Sequence, residues 1–125
     1  MYDNAAAWLE RVRKQSLSKR VLYIRGADSV ELAAMPGRSD HELISSDGTM
    51  QIAQSDDFLV AAADLVLSGR PILPERGDRI HQTVGDATWI HEVLGPSGGP
   101  VYALVNAGLT VRIHTKRIDA DEALK

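Results

Sequence analysis

The residues of this sequence with the clearest capacity for chemistry are its four histidines: His41, His81, His91 and His114. The last three fall on predicted strands that could be neighbours, and three converging imidazoles would form a zinc-like site. Alternation along the strand gives His91 the same face as Trp89 and Val93, which is predicted to point inward. Nothing in the pattern fixes the face of the other two histidines. The pattern therefore favours surface or hydrogen-bonded core histidines, and we predict no metal site.

Other potential catalytic groups have simpler explanations. Asp56 and Asp57 are predicted to lie in a turn, and adjacent side chains on an extended chain point apart, which makes a poor general acid–base pair. The glycine-rich segment 95–100 lacks the Lys-Ser/Thr pair and the following helix of a P-loop, and it is predicted to be a flexible loop. We therefore predict no catalytic residues, no cofactor and no enzymatic activity.

Length and charge narrow the class of protein. A chain of 125 residues with a formal net charge of −3 predicts one domain, residues 1–125, with no strong electrostatic attraction to nucleic acid. There is no cysteine and hence no disulfide framework. No apolar run approaches the roughly 20 residues of a membrane span, and the basic-then-apolar order of a secretion signal is missing. These features predict a protein made in the cytoplasm, with no membrane partner.

The elements that position these residues begin with an amphipathic helix, predicted over residues 4–16. Ala5, Trp8, Leu9 and Val12 recur at helical spacing. The narrow apolar stripe that they form either packs on the domain's own sheet, the more common arrangement, or docks on a neighbouring subunit. In the second case Trp8, Leu9 and Val12 would form part of a subunit interface.

Short strands separated by turn signals follow the helix. A first hairpin is predicted over 20–34 and ends at Pro36-Gly37, before a mostly polar stretch at 38–49. Within that stretch, Asp47-Gly48 is a strong signal for a two-residue hairpin turn. The central hairpin combines strands at 79–84 and 88–94 around Gly85-Asp86, and a last strand runs over 109–118. On this last strand, alternation places Arg112 and His114 on the same face. Residues 61–67 are predicted as either a helical turn or a strand end, and 119–125 as a charged tail.

This order of elements predicts a mainly β fold. Six to seven short antiparallel strands, with turn signals every 8 to 14 residues and one helix at the front, favour a small β-barrel or sandwich over residues 20–118. A parallel α/β sheet is disfavoured because no helices alternate with the strands. A barrel that binds nucleic acid or a peptide is an alternative, although most aromatic residues fall on predicted core faces or at the terminus.

A series of short motifs covers roughly residues 55–115: a strand, a proline, a Gly-Asp-x-Ile turn, an aromatic-x-x-x-Val strand, a loop and a final strand. The residues that form them are Phe58-Leu59-Val60, Leu73-Pro74, Gly77-Asp78-Arg79-Ile80, Trp89 to Val93 and Leu109-Thr110-Val111. This series resembles the head–tail joining proteins of tailed bacteriophages, also called head-closure or stopper proteins. His91 stands where the family often has a tyrosine.

The resemblance implies a structural protein of the virion neck, assembled in the host cytoplasm. Copies would form a ring beneath the portal and its adaptor, receive the tail terminator or tail tube, and help to retain packaged DNA. Genomic DNA would pass through the channel without specific binding. The segments predicted to reach into the channel are 38–49 and 95–108. A tail-completion or tail-terminator ring protein is the nearest alternative.

Overall fold

A computed structural model describes residues 19–118, and within them the chain is almost entirely β-structure. The nine strands of this part are β1 (Lys19–Arg25), β2 (Asp28–Ile44), β3 (Met50–Ala61), β4 (Val66–Leu67), β5 (Arg70–Pro71), β6 (Arg79–Val84), β7 (Ala87–Val93), β8 (Tyr102–Val105) and β9 (Thr110–Ile118). Short 3₁₀ turns cover Ala62–Asp64, Pro96–Gly98 and Asn106–Gly108.

Six of these strands close into an antiparallel barrel. The sheet order is β3-β2-β1-β6-β7-β9-β8, and β9 also pairs with β3, which closes the cylinder. Strand β8 adds to β9 beside β7, while β4 and β5 form a separate two-stranded ribbon. The predicted mainly β fold is confirmed, and of the two architectures predicted, the chain adopts the barrel.

Alternating side chains along the strands fill the barrel. Val21 and Tyr23 of β1, Val111 and Ile113 of β9 and their inward-facing neighbours are at most 5% exposed. The full core cluster is Val21, Tyr23, Leu32, Ala34, Phe58, Val60, Leu65, Leu67, Ile80, Val93, Val111 and Ile113. A core of this size contributes through its buried apolar area, at roughly 25 cal/mol per Å² removed from water.

The first and central hairpins lie where the sequence predicts them. Strand β1 pairs with β2 from Arg25↔Asp28 to Lys19↔Ala34, and β6 pairs with β7 from Val84↔Ala87 to Arg79↔Glu92. Glycines with positive φ make both connections, Gly26 at +59° and Gly85 at +62°. Residues 61–67 contain both predicted alternatives, because a 3₁₀ turn is followed by the short β4.

Two predictions of local structure are wrong. Strand β2 does not end at Pro36-Gly37 but continues to Ile44, so that most of the predicted polar stretch at 38–49 is strand. Proline is tolerated there because, within residues 19–118, β2 pairs with β1 only as far as Ala34, and no described strand beyond that point needs an N–H from this edge. Asp56 and Asp57, predicted in a turn, lie inside β3.

The loop at 95–100 contains a short 3₁₀ turn. The N–H of Gly99 donates to the carbonyl of Pro96 at 2.9 Å, closing the 3₁₀ turn. A Cβ at Gly95 would lie 2.1 Å from the carbonyl oxygen of Gly99. Gly95 is therefore required for this close approach of the backbone.

Candidate assembly site

A two-stranded β-hairpin extends beyond the barrel wall. Strand β2 loses its partner β1 after Ala34, and β3 gains its partner β9 only at Asp56. Between these points β2 and β3 pair only with each other within residues 19–118, from Ser39↔Ser55 to Ile44↔Met50. We call residues 39–55 the arm. Six paired positions at about 3.3 Å each give it a length of roughly 20 Å.

The tip of the arm is a specific turn. The carboxylate of Asp47 accepts hydrogen bonds from the hydroxyl of Ser45 and from the N–H of Thr49, the latter at 2.9 Å. These contacts, the Ser45 bond foremost, lower the pKa of Asp47 to about 2. Gly48 supplies the positive φ of +85° that the turn requires. The arm therefore ends in a folded turn.

Large apolar side chains on the arm are exposed. Ile44, Met50 and Ile52 are 75%, 60% and 66% exposed. Ile44 lies opposite Met50 in the register, and Ile52 lies two residues beyond Met50, so alternation brings all three to one face. Exposed apolar side chains, on a ribbon whose two edges have no partner strand among the described residues, indicate a surface that contacts another protein.

A buried carboxylate braces the base of the arm. Asp57 is 1% exposed and accepts a hydrogen bond from Nε of Arg112 at 2.7 Å, one from Nδ1 of His114 at 3.0 Å and one from the hydroxyl of Ser55 at 2.7 Å. The hydroxyl of Ser39 donates to it as well. Burial raises the pKa of Asp57, but these hydrogen bonds outweigh that effect and hold it below its ordinary value.

The same network joins the arm to β9. Nη2 of Arg112 donates to the carbonyl of Arg38 at 3.1 Å. Nε2 of His41 lies 2.9 Å from the hydroxyl of Ser55, and the ring of His41 packs edge-on against His114 with centroids 5.1 Å apart. Hydrogen bonds from β9 thus reach both strands of the arm and fix its direction relative to the barrel.

Serine, histidine and aspartate are close together here, but not in the order that a hydrolase uses. In a triad the carboxylate orients the histidine and the histidine takes the serine proton. Here the hydroxyls of Ser39 and Ser55 donate directly to Asp57, so their protons point at the carboxylate. The arrangement is that of a structural clamp.

A second buried carboxylate fixes the Gly77-Asp78 turn. Asp78 accepts a hydrogen bond from the hydroxyl of Tyr23 and a bidentate pair from Arg25, whose Nη2 lies 2.8 Å from Oδ2. Burial, followed by the contact with Asp78, raises the pKa of Tyr23 well above its usual range. Arg25 also donates to the carbonyl of Leu73 at 2.7 Å, which ties the proline-rich lead-in to β1. Asp78 therefore has a structural role in its motif.

The barrel interior opens into a cavity of about 280 Å³, which we call the mouth. Its floor contains Phe58, Gln82 and His91, and Trp89 lies at its rim with the guanidinium of Arg117 4.1 Å from the ring centroid. Trp89 is half-buried, and Arg117 covers it. It is therefore not an open platform for stacking a base, as the nucleic-acid alternative requires.

The four histidines occupy different environments. His91 is buried in the barrel, as predicted, with Nε2 3.2 Å from Oε1 of Gln82. His81 pairs in register with Ile90, and His91 pairs with Ile80, so the two imidazoles point to opposite faces of the hairpin. His114 lies beside His41 at the base of the arm. The structure therefore does not bring His81, His91 and His114 together, and no group suited to a metal ion occurs within residues 19–118.

The predicted helix at 4–16, with its candidate interface residues Trp8, Leu9 and Val12, lies outside the described residues, and so does the predicted tail at 119–125. Local sequence patterns do not identify Ser39, Asp57 and Arg112 as residues that contact one another. Alternation placed Arg112 and His114 on one face of the last strand, and this was the only available signal. Their partner Asp57 was assigned to a turn, so the contact across β3 and β9 was not foreseen.

The fold and the arm together define a class of protein: a small β-barrel with a braced, projecting surface for contact with other proteins. The chain belongs to the phage head-tail joining protein family, whose model matches residues 1–122. It is therefore a structural protein of the phage head–tail connector, a component of the virion neck that interacts with other head and tail proteins. No curated protein matches the sequence. Within residues 19–118 no helix is long and apolar enough to cross a membrane.

Proposed function

We propose that this chain is the head-closure subunit of the neck. Copies form a ring that joins the portal and its adaptor to the tail terminator or tail tube and helps to retain the packaged DNA. The ring is assembled in the host cytoplasm, and the subunit acts by binding, without catalysis. The observation that carries this proposal is the arm, because family membership places the protein in the neck and the arm provides a surface for closing a ring.

Ring formation requires head-to-tail surfaces that differ from one another and close by rotation. The arm offers an unpaired strand edge on each side within residues 19–118, to which a strand of a neighbour can add through main-chain hydrogen bonds. Ile44, Met50 and Ile52 add apolar area at the same place. These features suit a contact that forms on assembly.

Of the two segments predicted to reach the channel, the arm is the better candidate. Residues 95–108 remain close to the barrel, since β8 pairs with β9 and the N–H of His114 donates to the carbonyl of Val101 at 2.8 Å. The arm instead extends roughly 20 Å past the last barrel pairing. We assign the channel-facing role to residues 39–55.

Charge on the arm fits a channel that passes DNA without binding it. Residues 39–55 contain the carboxylates of Asp40, Glu42 and Asp47 and no lysine or arginine. DNA binding depends on cations that neutralise phosphates, and the arm supplies none. A ring of such arms repels the duplex while it holds the opening narrow.

Replacing Ile44, Met50 and Ile52 together by serine tests the role of the arm. All three side chains are exposed, so the variant is expected to fold with an unchanged melting temperature. In phage lacking the wild-type gene, the variant is expected to yield heads that have lost their DNA and carry no joined tails. The control is Leu104→Ser on β8, which removes a side chain that is 54% exposed at a distance from the arm. Normal tail joining by the triple variant would contradict the proposal.

A further inference from the structure

A groove with a largely apolar lining lies at the end of the barrel opposite to the arm. It is lined by the extended segment 71–75 together with Arg25, Ala62 and Tyr102, and its volume is about 620 Å³. We call it the groove. Ala62 directly follows the end of β3, whereas the arm contains the beginning of that strand, at Met50. The arm and the groove are therefore at opposite ends of one strand.

The backbone of the groove is fixed by hydrogen bonds to the rest of the barrel. Nη2 of Arg25 donates to the carbonyl of Leu73 at 2.7 Å, and the N–H of Ile72 donates to the carbonyl of Leu65 at 2.9 Å. The side chain of Leu73 nevertheless remains 47% exposed. An apolar side chain that a fixed backbone holds in solvent indicates a preformed surface for a partner, because little ordering is needed on binding.

The groove offers side chains rather than a strand edge. Pro71 and Pro74 have no N–H, and Pro71 lies on β5, so an added strand would find no continuous ladder of donors here. A partner is therefore expected to contact the groove with one of its faces, through apolar side chains.

Positive charge surrounds the groove. Arg70 and Arg76 flank it in the sequence, and both are exposed. The neighbouring carboxylates of Glu75 and Asp78 both pair with Arg25, at 3.3 Å and 2.8 Å. Because these carboxylates are already engaged by Arg25, the flanking arginines leave an excess of positive charge, and the groove favours a partner that is both apolar and acidic.

One face of the arm has this combination. Glu42 lies opposite Ile52 and Ile44 lies opposite Met50, so alternation gives all four side chains the same face. Each of the four is exposed. Residues 39–55 contain no lysine or arginine that would offset the charge of Glu42. This face is therefore complementary to the groove in both apolar surface and charge.

An arm cannot reach the groove of its own barrel. The 12 residues of β3 separate Met50 from Ala62 by roughly 40 Å along the strand. Hydrogen bonds from Arg112 and His114 to Asp57 hold the arm in its direction. An arm that fills the groove must therefore come from a second copy, and a contact between two different surfaces of identical chains closes into a ring when its rotation allows.

We propose that the arm of one copy docks in the groove of the next copy around the ring. The three exposed apolar side chains of the arm pack against Leu73 and its apolar neighbours, and Glu42 pairs with the flanking arginines. Asp47, in the turn at the tip, stays outside this contact and faces the channel. The inference rests on the proposed ring and names the surface that receives the arm.

Disulfide cross-linking tests this contact in assembled particles, because the chain has no cysteine of its own. The double variant Met50→Cys/Leu73→Cys is supplied to phage lacking the wild-type gene, and the particles are then oxidised. Both side chains are exposed, so the melting temperature is expected to stay unchanged. We expect a ladder of multimers on a non-reducing gel, with a disulfide between positions 50 and 73 identified by mass spectrometry. Such a bond requires Cα atoms within about 7 Å, which the two positions of a single chain do not meet.

A second pair of positions serves as the control for specificity. Met50→Cys/Val84→Cys places the second thiol on another exposed apolar residue, at the end of β6. This variant is expected to form no disulfide between positions 50 and 84.

The ionic part of the contact has its own test. Adding Glu42→Arg to the double-cysteine variant is expected to lower the cross-linking yield by about two- to fivefold, as for an exposed ion pair. Adding Arg70→Glu and Arg76→Glu as well is expected to restore the yield. Asp86→Arg, the same charge change in the exposed turn between β6 and β7, is expected to leave the yield unchanged.

Joined particles whose rings contain no disulfide between positions 50 and 73 would overturn this inference and leave the head-closure proposal intact. That disulfide, together with normal tail joining by the triple serine variant of the arm, would support docking and contradict the proposed role of the arm. A benzophenone attached at Leu73→Cys that captures another neck protein, or residues 1–18, in place of the arm would assign the groove to that occupant and overturn docking. Particles that hold a single copy of this chain would contradict both proposals.

Discussion

At the scale of single residues, two buried carboxylates fix the geometry of this protein. Asp57 connects the arm to β9 through Arg112 and His114, and Asp78 connects the central turn to β1 through Tyr23 and Arg25. A buried charge costs several kcal/mol unless its partners are well placed, so each network tolerates little change.

Asp57→Asn tests the first network. The amide cannot satisfy the donors that face it, and Arg112 loses its ion pair, so we expect the free energy of unfolding to fall by about 2–4 kcal/mol. Urea denaturation followed by circular dichroism measures this change. The matched control is Asp56→Asn, the half-exposed neighbour, with an expected loss below about 1 kcal/mol. Equal losses in the two variants would show that the network does not stabilise the fold.

His91 gives a second prediction, on acid stability. Burial foremost, opposed by Asp56 and assisted by Arg117 and His81, lowers the pKa of His91 to about 4. The unfolded chain therefore binds a proton on this residue between about pH 6.5 and pH 4 while the folded chain does not, so stability falls as pH falls through this range. Across this pH range the free energy of unfolding is expected to fall by about 3 kcal/mol, which is the energy equivalent of the full pKa shift.

His91→Gln is expected to make the free energy of unfolding nearly independent of pH between pH 6.5 and pH 4. Urea midpoints at a series of pH values measure this dependence. His81→Gln, on the opposite face of the hairpin, serves as the control and is expected to keep most of the acid loss. A curve for His91→Gln that parallels the wild type would contradict the assignment. Asp57 affects stability at lower pH than His91 does. Its pKa lies below the ordinary value, so the stabilising contacts of its carboxylate are lost only when that carboxylate is protonated.

At the scale of elements, the long β2–β3 hairpin is the distinguishing feature. Strand β2 has 17 residues and β3 has 12, and the barrel uses only part of each. The Asp47-Gly48 signal and the polar face of the arm were visible in the sequence, whereas the length of the hairpin was not. By local rules, Pro36-Gly37 marks the end of a strand. Those rules cannot anticipate that, within residues 19–118, one edge of β2 has no partner strand beyond Ala34, and proline is tolerated on such an edge.

The barrel itself could be predicted from local signals. Turn residues at Gly26, Gly77-Asp78 and Gly85 bound the strands, and period-two apolar residues mark the inward faces. Closure between β3 and β9 joins segments about 55 residues apart, as in the contact of Asp57 with Arg112. No local rule encodes such a pairing. The sequence therefore indicated the class of fold but not the network at the base of the arm.

The predicted helix over residues 4–16 belongs to this scale as well. Trp8, Leu9 and Val12 form its apolar stripe, and we propose that they bind a neighbouring subunit. Trp8→Ala is then expected to impair assembly more than the folding of the monomer, measured by native mass spectrometry of rings and by thermal melting of the isolated monomer. Lys125→Ala provides a control at the other end of the chain. A loss of monomer stability that accounts for the whole assembly defect would contradict the interface role.

At the scale of the whole molecule, the barrel is a compact support and the arm is the part that extends from it. Family membership over residues 1–122 places the protein in the neck of the virion. The proposed ring combines these features: barrels form its wall, arms line its opening, and the acidic arm surface lets DNA pass. This arrangement requires the protein to be a fixed component of finished particles.

Gold-label electron microscopy of particles from a lysate, with an antibody against this chain, tests that requirement most directly. An antibody against the major capsid protein serves as the control, since its label should cover the head. We expect the gold for this chain to lie at the head–tail junction of complete particles. Virions without label there, with the protein left soluble in the lysate, would contradict the assignment to the neck ring.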